Sequence, residues 1–206
     1  MFESIPESVR QRMQQLEEVD RLDRIDGTAH DLRLRQVSRE TGRFLAIMAA
    51  VSPEGSWLEI GTSAGYSALW ISLAGRERNR KLVSYEIMPE KIKMARETIR
   101  IASIEDWVEL RVGDGLAGLV AADDLAFCFL DADKEGGLAY FEQVIPRLVL
   151  GGLFLVDNAI SHQARLKPVL DKAFTDPYLD CSIVPVGKGV LISRRNQKAI
   201  DPVKDD

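Results

Sequence analysis

Two cysteines and two histidines are all that the 206 residues offer of the side chains that build a Cys/His zinc cluster, which excludes one. Cys128 and Cys181 lie far apart in apolar stretches and make no disulfide framework, so a reducing cytoplasm is the expected compartment. No apolar run approaches the roughly 18 residues of a membrane span, and Met1-Phe2-Glu3 opens no signal peptide. Basic charge is not in excess either. A formal charge of -5 and a pI near 5.2 give no global pull toward nucleic acid or an anionic membrane. Internal repeats and low-complexity segments are also missing.

What is present is ordinary globular material, 46% hydrophobic and 29% charged, in a length that suits one domain. Apolar runs of strand length recur at Trp57–Ile60, Leu82–Tyr85, Val108–Val112, Leu125–Leu130, Leu153–Val156, Ile183–Val186 and Val190–Ile192. Helix-length stretches such as Tyr66–Ala74, Pro89–Ala102 and Leu138–Leu150 separate the first five. Strands this apolar have no wet face, so the alternation predicts a parallel sheet with helices on both faces. Only Gly187-Lys188-Gly189 parts the last two runs, too short for a crossover helix, which predicts an antiparallel hairpin. Ahead of the sheet, Ile5, Val9, Met13 and Leu16 share one helical face, and Phe44, Leu45 and Met48 mark a second helix. The expected organisation is therefore N-terminal helices over 1–50, a sheet domain over 51–195 and a polar tail over 196–206.

In an open parallel sheet, ligands bind beyond the carboxyl ends of the strands. Here those ends read Glu59-Ile60-Gly61-Thr62-Ser63-Ala64-Gly65, then Glu86, Gly113-Asp114-Gly115, Asp131-Ala132-Asp133-Lys134 and Asp157-Asn158. Each carries an acid. One such residue alone reads equally well as a helix cap, but five along one rim do not. Gly61 and Gly65 let a ligand approach the backbone at a helix N-terminus, although their spacing is no G-x-G-x-x-G dinucleotide fingerprint. Glu86 is placed to accept from a ribose diol, and the acidic rim suits a cationic ligand better than a pyrophosphate.

LEIGTSAGYSALWISLA at 58–74, SYEIMPEKIKMA at 84–95, LDADK at 130–134 and VDNAISH at 156–162 resemble the class I S-adenosylmethionine-dependent O-methyltransferases. The closest group is the divalent-metal-dependent catechol and caffeoyl-CoA branch with its bacterial members. The likeness spans about residues 36–194, and LDADK with VDN is its most specific part. It implies a Rossmann-like seven-stranded sheet, mostly parallel, with an antiparallel C-terminal hairpin. It further implies that Glu59, Gly61, Thr62, Ser63, Gly65 and Ser67 surround the methionine moiety. Glu86 and Ile87 would hold the ribose, and Gly113, Asp114 and Gly115 would lie beside the adenine. Asp131, also bordering the cofactor, would bind the metal with Asp157 and Asn158, and Lys134 would stand beside the reacting hydroxyl. Two carboxylates, an amide oxygen and room for waters suit Mg²⁺. Glu135-Gly136-Gly137 departs from the pattern and concerns the substrate pocket.

The acceptor implied is a small molecule with adjacent hydroxyls, catechol-like because such a pair can chelate the ion. A modified tRNA nucleoside is the rival acceptor, for which Arg35, Arg39 and Arg43, four apart on one helical face, would grip phosphates. A nucleotide-binding oxidoreductase and a non-catalytic binding protein are weaker rivals. The residue types also raise His162 as a neighbour of the metal, Asp180 at the substrate mouth and Trp107 against the adenine. The apolar stripe of the first helix must be buried, against the chain's own core or against a second subunit in a homodimer.

Overall fold

The computed structural model describes residues 1–29, 32–119 and 124–197. A seven-stranded sheet runs through it in the order β3-β2-β1-β4-β5-β7-β6. The strands are β1 (Ser56–Ile60), β2 (Leu82–Glu86), β3 (Val108–Val112), β4 (Leu125–Leu130), β5 (Leu148–Asp157), β6 (Leu179–Val184) and β7 (Val190–Arg195). Neighbours among the first five pair in parallel, whereas β7 is antiparallel to both β5 and β6. The order reverses between β1 and β4, so their carboxyl ends open a crevice there.

Side chains alternate across the sheet with the period of two that a strand imposes. Trp57, Phe127, Phe129 and Leu155 enter one buried cluster, while Leu58, Cys128, Leu130 and Phe154 enter the other. Helices α1 (Glu7–Leu22), α2 (Arg39–Val51), α3 (Tyr66–Arg78) and α4 (Pro89–Ala102) cover the first face. The other is covered by α5 (Gly115–Leu119), α6 (Gly137–Val144) and α7 (Gln163–Thr175). Because Val9, Met13 and Leu16 share the cluster of Trp57 and Phe127, the apolar stripe of α1 is buried by its own chain. That removes the motive for invoking a second subunit. Ser8 and Arg12 fasten α1 to α4 through the Ala102 carbonyl and Thr98 Oγ1, both at 3.0 Å.

Several element boundaries differ from the sequence reading. The helix expected over Leu138–Leu150 stops at Val144, and Leu148 already belongs to β5. Pro146 lacks the N–H that would continue it, and Gly151 at φ +79° with Gly152 lets β5 slip register against β4. Strand β6 starts at Leu179, not Ile183, and ends before Val186. The Arg35, Arg39, Arg43 row does not exist as one helical face. Ser38 caps α2 by accepting from Thr41 N at 3.2 Å, leaving Arg35 in the preceding loop at φ +49°. Arg39 pairs with Glu17 at 2.8 Å, and the Arg43 guanidinium lies over the Phe2 ring.

Trp107 and Asp180 lie at the end of the sheet away from the crevice. Trp107 precedes the first residue of β3, and its carbonyl accepts from Leu82 N at the start of β2. Asp180, early in β6, bonds Arg194 at 3.1 Å and Asn196 at 3.0 Å. The tail expected over 196–206 is described only as far as residue 197.

If α1 is part of the main core, Leu16→Ala, at a side chain only 1% exposed, should cost about 3 kcal/mol in denaturant unfolding. A change within about 0.5 kcal/mol would mean that α1 docks as a detachable arm.

Candidate active site

The crevice between β1 and β4 opens into a cavity of about 500 Å³. The loop after β1 makes its floor. Gly61 N and Thr62 N donate to the Tyr85 carbonyl at 2.9 and 3.2 Å, which turns the chain sharply out of the strand. Gly61 stands at φ +92°, and a Cβ there would sit 2.6 Å from the Asp131 carbonyl oxygen. Only glycine fits both demands.

Ser63, also at positive φ, donates its amide to Glu86 Oε2 at 2.8 Å. Glu86 Oε1 takes the amides of Ile87 and Met88 at 2.8 and 2.9 Å, so backbone donors lock the carboxylate at the tip of β2. Glu59 lies elsewhere. It is 0% exposed beneath the loop and outside the cavity wall, with Oε2 accepting from Ser84 Oγ at 2.5 Å. Its Oε1 and the Thr62 hydroxyl are buried without a partner among the described residues. Burial pushes the Glu59 carboxyl above its ordinary value, opposed by the nearby Ser67, Ser84 and Thr62 hydroxyls.

The opposite rim carries the acids of β4 and β5. Asp131 closes β4, and its Oδ1 accepts from the Lys134 ammonium at 2.7 Å. Asp157 closes the adjacent β5 and is 4% exposed. Burial first, then the charge of Asp131, pushes its carboxyl up to about 7, while Lys134 and Lys188 oppose that. Asn158 lines the cavity at φ +68°. Arg35, Ser63 and Asn158 are thus non-glycine residues held in the left-handed region around one cavity, where such strain tends to serve a site. Among the described residues, no three His, Cys, Asp or Glu side chains gather as a metal cage. The donor set is two carboxylates and the Asn158 amide, crowded enough that Asp157 resists ionisation. A hard divalent cation that keeps several waters fits such a set.

The cavity gathers the expected Gly61, Thr62, Ser63, Ser67, Glu86, Ile87, Gly113, Gly115, Asp131, Lys134 and Asn158. Gly65 stays behind the loop, its Cα facing Thr98, and Asp157 faces an adjoining cleft. Asp114 lies outside the cavity wall, where its Oδ1 accepts from Leu116 N at 2.9 Å and from the Tyr140 hydroxyl at 2.8 Å. His162 does line the cavity. Its imidazole is held below the ordinary value by burial first and then by Lys134, Arg165 and Lys188.

Sequence reasoning missed the strap over residues 32–37. Lys91, 3% exposed on α4, donates to the Leu32 and Arg33 carbonyls at 2.9 and 2.8 Å. Asp23 takes Leu34 N at 2.6 Å, and the Leu34 carbonyl receives the Ser63 hydroxyl at 3.1 Å. No short-range pattern joins these residues, although a lysine buried on an amphipathic helix is a signal in retrospect. Also missed was Tyr66, whose hydroxyl donates to Glu17 Oε1 at 2.6 Å and ties α1 to the wall.

A family model described as O-methyltransferase matches residues 10–196. The catechol O-methyltransferase of Mycobacterium tuberculosis is 34% identical over 126 residues, 60% of this chain and 57% of that protein. The caffeoyl-CoA O-methyltransferase of Eucalyptus gunnii is 27% identical over 198 residues, covering 83% and 78%. A Podospora anserina methyltransferase solved with SAH bound superposes with a TM-score of 0.77 at 22% identity, over 94% of this chain and 89% of that one. The chain therefore spans less than two thirds of the mycobacterial relative's length.

The Glu59 environment makes a pH prediction. A carboxyl raised in the folded state contributes stability that is present below its unfolded value, about 4.3, and lost as pH rises through the folded one. Glu59→Gln should therefore gain stability relative to the parent as pH climbs above about 4.3. Parallel stability curves for the two proteins across that range would refute the shift.

Proposed function

The chain belongs to the O-methyltransferase family, and from that premise we propose that it moves a methyl group from S-adenosylmethionine to one hydroxyl of a small aromatic vicinal diol, with Mg²⁺ held by Asp131, Asp157 and Asn158. One juxtaposition carries the reading. Asp131 touches the glycine loop through its carbonyl and Lys134 through its carboxylate, so a cofactor on that loop would reach the acid-lined rim directly. Similarity to proteins named for catechol and caffeoyl-CoA supports the diol.

On this reading Gly61 and Ser63 present backbone to the methionine end of the cofactor. Glu86 receives the ribose. Three backbone amides already occupy it, leaving about one of its four acceptor positions for a hydroxyl. The cofactor supplies an electrophilic methyl on a sulfonium. A divalent ion held by Asp131, Asp157 and Asn158 would make the diol's hydroxyl more acidic and orient the acceptor. Lys134, already oriented by Asp131, puts a positive charge beside that hydroxyl and favours its oxyanion. The strap and the Tyr66–Glu17 contact wall the site, so that alignment of oxygen, carbon and sulfur contributes much of the rate. The tRNA reading loses its support with the arginine row, since Arg39 is paired and Arg43 is stacked on Phe2.

The cofactor half is tested by Gly61→Ala, which should abolish calorimetric binding of S-adenosylmethionine, the added methyl meeting the Asp131 carbonyl at 2.6 Å. Undiminished affinity would remove the loop from the cofactor site.

For the rim, excess chelator should stop turnover and Mg²⁺ should restore it. Asp157→Asn should end activity yet leave the thermal midpoint unchanged or higher, because a neutral amide relieves a buried carboxylate. Lys134→Ala should lower kcat by about 100-fold with cofactor affinity nearly constant. Full activity in chelator sinks the metal assignment.

A further inference from the structure

Twelve lysine and arginine side chains of the described residues have a carboxylate beside them. Arg10 pairs with Glu7, Arg21 with Glu18, Arg39 with Glu17, Arg80 with Glu54 and Arg111 with Glu109. Arg165, Lys188 and Arg35 are not among them. None of the three side chains makes an ion pair or a hydrogen bond among the described residues, and all three line the cavity, Arg165 and Lys188 together on the His162 side. Cations left unpaired beside one another at a cavity are a standing attraction for an anion.

The Arg165 and Lys188 side chains rise from one braced unit. The Lys188 carbonyl accepts from Ile160 N and Ser161 N at 3.2 and 3.1 Å, and Gly189 O accepts from Ala159 N at 2.9 Å. The turn between β6 and β7 is thereby fastened to the segment that leads from Asp157 into α7. Arg165 sits one turn further on, its amide bonded to the His162 carbonyl at 3.0 Å. The acids nearby are engaged or face elsewhere. Glu17 and Asp20, in the adjoining cleft, are taken by Arg39 and Arg24, and Asp131 by Lys134. Asp133 acts on Tyr140, on the Asp114 side of the cavity. Asp157, which feels Lys188, belongs to the proposed metal set.

We propose that Arg165 and Lys188 form a second subsite that reads an anionic substituent on the acceptor, so that the preferred substrate is a vicinal diol bearing a carboxylate. This rests on the diol reading given above. A cavity of about 500 Å³ must hold the cofactor as well, which favours a small acceptor. A ring carboxylate fits that limit. The phosphates of a longer acceptor would have to reach the same cations from outside.

The test is calorimetry on the protein loaded with Mg²⁺ and demethylated cofactor, followed by kinetics. 3,4-Dihydroxybenzoate should bind at least about tenfold more tightly than catechol, and the margin should shrink with salt. Lys188→Gln and Arg165→Gln should each cut the ratio of kcat/KM for dihydroxybenzoate over catechol by about tenfold, and Lys188→Arg should preserve it. Loss of caffeoyl-CoA binding in the Gln variants, with dihydroxybenzoate unaffected, would keep the cations as anion readers but overturn the carboxylate. Equal or tighter binding of catechol or of an aminoethyl catechol overturns the subsite while leaving methyl transfer to a diol intact. Binding of none of these diols, with cofactor affinity normal, overturns the diol reading and this subsite with it.

Discussion

The site depends on one close approach of backbone to backbone. Gly61, at the end of β1, lies against the carbonyl of Asp131, at the end of β4, and Asp131 N donates in turn to the Ile60 carbonyl at 3.0 Å. The two strands are neighbours at the reversal of strand order, where helices leave on opposite faces and the crevice opens. The contact leaves no room for a side chain on the loop. It also fixes, through main-chain atoms alone, the offset between the glycine loop after β1 and the carboxylate that begins the opposite rim.

A second tier of contacts transmits that rigidity outward. Ser63 uses its amide on Glu86 and its hydroxyl on Leu34, so one residue joins the loop, the acid at the tip of β2 and the strap. Lys91 completes the strap from beneath. Burial lowers the pKa of its ammonium, with Arg35 adding to the effect, and the two carbonyls that accept from it offset part of that cost. A group so placed is expensive to leave unpaired, and so the strap has little freedom to peel away while Lys91 remains charged.

The acids were legible in the sequence because each sits where a strand's apolar run ends, and the run itself fixes which end of the sheet it occupies. The same logic, applied to Trp107, puts it at the amino end of β3 and away from the crevice. Asp180 was misplaced because β6 starts at Leu179, earlier than its most apolar residues indicated, so Asp180 opens the strand at the end remote from the crevice. The arginine row failed for a local reason, the Ser38 cap, which periodicity does not see. Lys91, Tyr66, Arg165 and Lys188 were illegible in a stronger sense. Their partners or neighbours lie tens of residues away in the chain, and nothing in composition or spacing pairs them.

This division has a structural cause. One side of the cavity is built from one stretch, 60–115, whose loops follow consecutive parallel strands, so its geometry is inherited from strand order. The rest of the cavity and the adjoining cleft draw on α1, the strap, the start of α7 and the turn between β6 and β7. Each of those pieces is anchored separately, by Glu17 on Tyr66, by Lys91 on the strap and by the Lys188 carbonyl on Ile160 and Ser161. Side chains such as Arg165 and Lys188 can change without disturbing the Gly61–Asp131 crossing, because their own anchors are backbone atoms. The strand-end crossing and the side chains on the β6–β7 turn and the first turn of α7 are therefore mechanically separable in this fold, and it is the charge carried by those two turns that has most freedom to change.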